Sequence, residues 1–493
     1  MTDKIIKDSD TLVLDFIANI SKLEQELKNC PDIIRRKVTL KIGKEGYFFY
    51  IQGLADTNLI QRDFISNVLN LESLDFTMPK YLQDKIPVAG ISFPVYIKDI
   101  VSEILNGKTI FIGNDINYAI ACDLKKYNKR DITEPQTEKV VRGGHDGFIE
   151  DIVTNIAILR TKIKNSNLKF IEFTVGKVTN QKLVVAYLDN IANKNILKIL
   201  CNKISKLNFD GFIGSGYIEH IITDHPMSPF PQYLATERAD KATAALLEGK
   251  FVIILDGTPV TIIAPVNIFS FFQATDDYTT SWISGSIVRF GRIFACFIAL
   301  FLPGIYIALL TFHYYMIPLT LLVPLAESRA RVPFTPIVEG LIMEFVIELI
   351  RESAIRLPTY IGASIGVVGG IIIGQAAVQA GIVSNLMVII VSVTAIAAFA
   401  IPNYDMSLTV RIIRFAIMIF AAIFGIVGII VPIAFLIYHV IILESLGEPY
   451  LQPIAPLKFR DFKDTFFIMP IRFLKKRPDI AKPTDNTRGK SNE

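Results

Sequence analysis

Between Ile287 and Leu443 the chain contains no lysine, although lysine is common on both sides of that stretch. Its charges are mainly arginines near segment ends and a spaced acid series, Glu339, Glu344, Glu348 and Glu352. A stretch this apolar is too long for the core of a soluble domain and reads as several membrane segments. Cysteine is scarce: Cys30, Cys122, Cys201 and Cys296 lack metal-ligand or disulfide-framework spacing and read as free thiols in a reducing compartment. The five histidines form no HExxH and have no carboxylate at ligand spacing, so no metal or other cofactor is expected. No serine elbow or other nucleophile motif occurs, which argues against an enzyme. A net charge of +4 without an arginine-rich or aromatic-interleaved patch argues against nucleic acid. The N-terminus carries acids among its apolar residues and has no small-residue cleavage site, so a secretory signal is not expected.

The first half is rich in lysine and aspartate and reads as water-facing α/β protein in two similar subdomains, residues 1–125 and 132–275. A strand from Gly46 to Ile51 and a helix over residues 58–69 precede the hairpin text TIFIGNDINYAIACD, opened by Gly107-Lys108. The order repeats with a strand at 182–188, a helix near 196–204 and FVIILDGTPVTIIAP after Gly249-Lys250. β-branched residues flank a turn in each hairpin, Gly113-Asn114-Asp115 and Asp256-Gly257. Gly107-Lys108-Thr109 hints at a phosphate loop, but the earlier glycine that would let the backbone wrap phosphates is replaced by Ser102, so the turn reading prevails.

Between the halves lie Ser228-Pro229-Phe230-Pro231-Gln232 and Thr236-Glu237-Arg238-Ala239-Asp240-Lys241. The two prolines keep the segment extended, Thr236 is placed to cap a helix running to Leu247, and Glu237 sits near that helix's positive end. Asp276, Asp277 and Tyr278 are expected at a membrane surface, with Trp282 as interfacial anchor.

The helical domain is expected over 284–445, followed by a basic tail, 446–493, with a disordered end. A first span covers about 287–312, and Arg289 and Arg292 put its start on the cytoplasmic side. Residues 316–325 are too short to cross. The helix at 336–356 carries Glu344, Glu348 and Glu352 at i, i+4 and i+8, on one face. Those acids pair with Arg351, Arg356 or arginines on neighbouring helices inside the protein, line a cation path, or face water on an amphipathic helix. Residues 360–381 hold the small-residue pairs Gly366/Gly370 and Gly370/Gly374 for close helix contact. Residues 384–401 are a clean span. The last segment, 406–443, is too long for one crossing, and basic residues at both ends conflict unless Gly425, Gly428 and Pro432 make it broken or re-entrant.

The text SPFPQ with TERAD resembles the SPFPQ…TERPD signature of the GerA family, the A subunits of bacterial spore germination receptors. Thr133-Glu134-Pro135 with Glu138 to Gly143, Arg356-Leu357-Pro358, Gly369-Gly370, Ile373 to Ala377, and Gly447 to Tyr450 resemble further family blocks. Ala239 departs from the family's usual proline. The resemblance implies a multi-pass protein of the spore inner membrane, its N-terminal region on the cytoplasmic, spore-core side. It implies a transporter-like B subunit and a lipoprotein C subunit as partners. It also implies a homo-oligomer, a pentamer, forming a germinant-gated cation channel. For that pore, helical spacing makes Glu344 and Glu348 candidates for cation attraction, Ile372 and Ile373 for a hydrophobic gate and Gln375 for polar lining. The junction residues Pro229, Pro231, Gln232, Thr236, Glu237, Arg238 and Asp240 carry the family text. Alternatives are the related germination protein SpoVAF and a non-conducting scaffold.

Overall fold

The computed structural model describes residues 11–41, 43–70, 85–88, 90–126, 135, 138, 140, 142–356 and 374–489. The chain divides into two compact units: Met1–Thr223 with Tyr233–Pro265 and Lys475–Glu493, and Asp224–Gln232 with Val266–Leu474.

The first unit holds two five-stranded antiparallel sheets. One is built from β1 (Ile33–Thr39), β2 (Glu45–Ile51), β3 (Ile91–Ser92), β4 (Thr109–Gly113) and β5 (Ile120–Cys122), in the order β1-β2-β4-β5-β3. The other uses β6 (Leu168–Val175), β7 (Gln181–Leu188), β8 (Leu234–Thr236), β9 (Phe251–Leu255) and β10 (Thr261–Ala264), in the order β6-β7-β9-β10-β8. The two orders correspond strand for strand. Alternation along β2 sends Phe48 to one face, against Phe64 and Phe111, and Phe49 to the other. There Phe49 meets α1 (Phe16–Glu26) and α2 (Ile97–Leu105) through Leu23, Ile97 and Ile100. Phe64 comes from a continuous helical stretch of Thr57–Leu59, Ile60–Ile65 and Ser66–Leu69, where the spacing predicts a helix. The expected hairpins form: Asp115 takes φ +61° in the first turn and Gly257 φ +84° in the second.

In the second sheet's surroundings, α3 (Ile152–Lys162), α4 (Lys194–Ser205), α5 (Ser215–Ile222) and α6 (Ala239–Leu247) follow. Arg160 of α3 is fully buried and donates from Nε and Nη2 to both oxygens of Asp32, each at 2.9 Å, and from Nη1 to the carbonyls of Asn165 and Leu168. Asp32 immediately precedes β1, so this fork joins the two sheets' surroundings inside one unit. The last described residues also return here. Arg477 donates to the carbonyl of Leu247, Thr484 to that of Asn190, and Arg488 pairs with Glu248 at 2.6 Å.

The second unit is helical: α7 (Trp282–Thr311), α8 (Leu319–Arg329), α9 (Pro336–Arg356), α10 (Gly374–Gln379), α11 (Asn385–Phe399), α12 (Tyr404–Phe424) and α13 (Val427–Ile442). Two of these, α7 and α12, are long and apolar enough to cross a membrane. Close approaches give the directions. A Cβ on Gly304 of α7 would lie 2.9 Å from Ile417 of α12, and one on Gly425 would lie 2.6 Å from His313, so α7 and α12 run parallel. On α9, Gly340 lies beside Met418 and Glu344 beside Arg414, so α9 runs opposite to α12.

The segment expected as broken or re-entrant is broken, and forms a helical hairpin of α12 and α13. The break falls at Gly425, whose φ of +63° suits glycine, and a Cβ on Gly428 would sit 2.0 Å from the Phe420 carbonyl. Pro432 lies inside α13 without ending it. The reason is local: glycine turns the chain, and a second glycine lets α13 pack back on α12. The backbone of Val266 donates to Ser445 Oγ, and that of Ile268 to the Tyr450 carbonyl. Chain preceding α7 and chain following α13 therefore meet at one end of the bundle.

Candidate functional site

The proline segment belongs to the helical unit. Gln232 folds residues 224–232 on themselves: its Oε1 accepts from the backbone N–H of Asp224 and His225, and its Nε2 donates to the His225 carbonyl at 2.8 Å. The proline carbonyls, held by fixed φ, accept from outside. Thr409 Oγ1 of α12 donates to Pro229 O, and Tyr450 Oη donates to Pro231 O at 2.7 Å. Ser228 Oγ lies 2.9 Å from His439 Nε2 on α13. The loop thus fastens the start of α12 to the end of α13. Two short strands, β11 (Glu444–Ser445) and β12 (Glu448–Pro449), complete it, with Ser445 Oγ donating to Gln232 O.

The TERAD text belongs to the first unit. Arg238 is 2% exposed, donates to both oxygens of Asp240, and reaches the carbonyls of Glu138 and Gly144. Lys241 pairs with Glu138 at 2.7 Å, and Thr236 Oγ1 donates to the same carboxylate. The Glu237 carbonyl accepts from Phe148 N–H. Two blocks a hundred residues apart are thereby locked together. Thr236 does not cap α6: it lies in β8, Arg238 holds the cap position, and Thr236 Oγ1 accepts from Arg238 N–H instead. The strand pairing of Thr236 with Thr261 delays the helix by two residues. Ala239 is the first helical residue, a position where proline and alanine both fit because the N–H needs no intrahelical partner.

At the start of α7, Asp277 is buried, 2% exposed. It accepts from Arg289 Nε at 3.1 Å and from both terminal nitrogens of Arg292. Arg289 also reaches Asp464 at 2.8 Å, and Tyr278 Oη donates to that same carboxylate. The start of the long helix is held by charge pairing that spacing alone left unpaired. Trp282 begins α7 and is 49% exposed.

Deeper along the bundle, the acid face of α9 meets arginines. Arg329 of α8 pairs with Glu339 at 3.0 Å, and Glu339 Oε2 accepts from Ser384 N–H, capping the far side of α11. Arg414 lies 2.6 Å from Glu344, and Arg411 lies 2.6 Å from Glu348. Arg351 stands 3.6 Å from Glu348 and over the Phe399 ring at 4.6 Å. Glu352 leaves this ladder: it is exposed and pairs with Arg356 of its own helix. Glu344 and Arg414 are fully buried, and among the described residues neither has a well-directed hydrogen bond, so their attraction is chiefly Coulombic. Two carboxylates face three guanidinium groups here. Within the chain Glu344 is therefore paired with arginine, while Glu348 keeps a side chain 28% exposed. Arg351 lies on α9 itself, as expected of a partner, whereas Arg411 and Arg414 come from α12, and spacing along the chain did not single them out.

Gly374 and Gln375 lie on α10, Gly374 buried and Gln375 exposed. Gly366, Gly370, Ile372 and Ile373 lie outside the described residues, as do Leu357 and Pro358. Among the described residues no three His, Cys, Asp or Glu side chains converge to hold a metal.

An α/β unit and a helical unit with two helices long and apolar enough to cross a membrane define a membrane-associated class of protein, and the comparisons supply the family. The model of the Bacillus/Clostridium GerA spore germination protein matches residues 21–480, and the chain belongs to the GerA family. Spore germination protein KA of Bacillus subtilis (strain 168) is 37% identical over 489 residues, covering 98% of this chain and 90% of that protein. Spore germination protein B1 of the same organism is 43% identical over 392 residues, 80% of this chain and 81% of that one. The uncharacterized membrane protein YfkQ, also of B. subtilis, is 35% identical over 96% of this chain and 93% of its own length. Among solved structures, the N-terminal domain of the A subunit of the Bacillus megaterium spore germinant receptor GerK3 matches 52% of this chain and 98% of that one, at 26% identity and a TM-score of 0.42.

Proposed function

We propose that this chain is the A subunit of a nutrient germinant receptor. In this reading it crosses the spore inner membrane several times, with its N-terminal unit on the spore-core side. A transporter-like B subunit senses the nutrient and a lipoprotein C subunit completes the complex. Copies of the chain assemble as a pentamer around a cation pore that opens when germinant binds. The observation that carries the reading is the family match over residues 21–480, with relatives named as spore germination proteins at 34–37% identity over nearly the whole chain. Large apolar side chains exposed on α7, such as Ile287 and Phe297, support lipid contact. The matching strand orders support two similar subdomains in the N-terminal unit.

For the pore, Glu348 is the more accessible carboxylate and attracts cations, with Glu344 anchored by Arg414 behind it. Ile372 and Ile373 gate, Gln375 lines, and the glycines Gly366, Gly370 and Gly374 let helices approach. The arginine pairing of Glu344 favours a second reading, a non-conducting scaffold whose acid face is structural; a SpoVAF-like accessory role is a variant of the first.

Planar-bilayer conductance of the purified full chain separates these readings. Cation-selective openings that lose selectivity in Glu348→Gln support the pore. Openings indifferent to Glu348→Gln remove that residue from the path, and silence of the chain reconstituted with its partner subunits and germinant supports the scaffold.

A further inference from the structure

We propose that residues 454–474, which follow α13 and the β11–β12 pair, lie as a collar in the head-group layer of an anionic bilayer. The inference rests on the reading that α7 crosses a membrane. The sequence of the segment is unusual for a water-facing tail. Leu457, Phe459, Phe467, Met469 and Phe473 are all exposed, Phe459 by 78%, and they alternate with Lys458, Arg460, Lys463 and Arg472. Aromatic residues mixed with basic ones suit the interface, where rings enter the acyl boundary and cations meet phosphates.

Two observations place the segment at that depth. First, α7 has 30 residues. At 1.5 Å per residue it is about 45 Å long, against about 30 Å of hydrocarbon, so about ten residues project into the head groups. Second, the segment is tied to the projecting turns. Ile468 N–H donates to Ser286 Oγ at 2.9 Å, the Phe467 ring stacks on Phe290 with centroids 6.0 Å apart, and Asp464 takes Arg289. Ile283, Ile287 and Phe290 are exposed on those turns, so the apolar face of α7 runs on into the collar.

Charge chooses the lipid. Asp464 is engaged by Arg289 and Tyr278, and Asp461 by Arg460 and Gln452. Lys463 and Arg472 are exposed, so the outward charge is basic and complements lipid phosphates of net negative charge.

The chain has a single tryptophan, which makes the test direct. In a Trp282→Phe background, Trp is placed at Phe459, at Phe473, or in the middle of α7 at Phe297, and the full chain is put into nanodiscs containing lipid brominated high on the acyl chain. The proposal expects quenching at all three positions. At 459 and 473 it expects about twofold more in phosphatidylglycerol than in phosphatidylcholine, an excess lost with Lys463→Glu/Arg472→Glu. Quenching at 297 but not at 459 or 473 overturns the collar and leaves the membrane reading standing. Absence at all three overturns both. Quenching equal in the two lipids overturns the anionic preference, and blue-shifted emission at 459 or 473 without lipid quenching assigns the surface to a protein neighbour.

Discussion

Glu344 of α9 and Arg414 of α12 approach to 2.6 Å with both side chains only 1% exposed. Removing one charge leaves the other buried with a weaker counter-charge, Glu348 at 3.7 Å in the case of Arg414. Glu344→Gln is expected to destabilise the helical unit by about 3–5 kcal/mol, whereas the double change Glu344→Leu/Arg414→Met is expected to be close to neutral. Thermal unfolding of the detergent-solubilised chain measures both. Equal losses in the single and double variants would show that shape rather than charge holds this contact.

The hairpin between α12 and α13 depends on Gly428 differently from the way the β11–β12 turn depends on Gly447. A Cβ at Gly428 meets a backbone carbonyl at 2.0 Å, while one at Gly447 meets nothing within 4 Å but sits at φ +75°. Gly428→Ala should therefore cost on the order of 3 kcal/mol, as an overpacked interior does, and Gly447→Ala about 1 kcal/mol of backbone strain. Comparing monodisperse yield and melting temperature of the two variants checks the ranking.

In the first unit, Asp32 and Arg160 are both buried and doubly hydrogen-bonded. Asp32→Asn keeps the shape and removes the charge, leaving a buried guanidinium; a loss of about 3 kcal/mol or more is expected. Hydrogen exchange should rise together in β1 and β6, because Arg160 also holds the Leu168 carbonyl at the start of β6. Faster exchange confined to β1 would mean that the fork does not join the two sheets.

Burial pushes the Cys122 thiol up to about 12. A thiol with a folded-state pKa above its unfolded value keeps its proton in the native protein, and its unfolded form ionises first as pH rises. Its stabilising share is full below about pH 8.5 and declines above it. Two readings should follow: iodoacetamide at pH 8 leaves Cys122 unmodified until denaturant is added, and Cys122→Ala flattens the alkaline loss of stability. Rapid alkylation of Cys122 in the native chain would refute the burial.

How far the sequence carried depends on the range of each interaction. The helix at Pro336–Arg356 was legible end to end, because Pro336 opens it and its apolar run is closed by Arg356. The hairpin strands were legible because Asp115 and Gly257 announce their own turns. The start of α6 was misread by two residues, since nothing local says that Thr236 pairs with Thr261. The break near Gly425 was legible from the segment's length and its glycines, but not which of Gly425, Gly428 and Pro432 makes it: Gly425 turns the chain, while Pro432 stays inside α13. The acid face of α9 was legible as a stripe, and so were its local partners Arg351 and Arg356; Arg411 and Arg414 were not, because their pairing is fixed by which helix packs beside α9.

The return of Arg477, Thr484 and Arg488 to the first unit has a consequence for biosynthesis. The ribosome makes most of the α/β unit first, then all the apolar helices, and only afterwards the strip that joins the α/β unit at Leu247, Asn190 and Glu248. Completion of that early-made unit must wait until the helices have emerged.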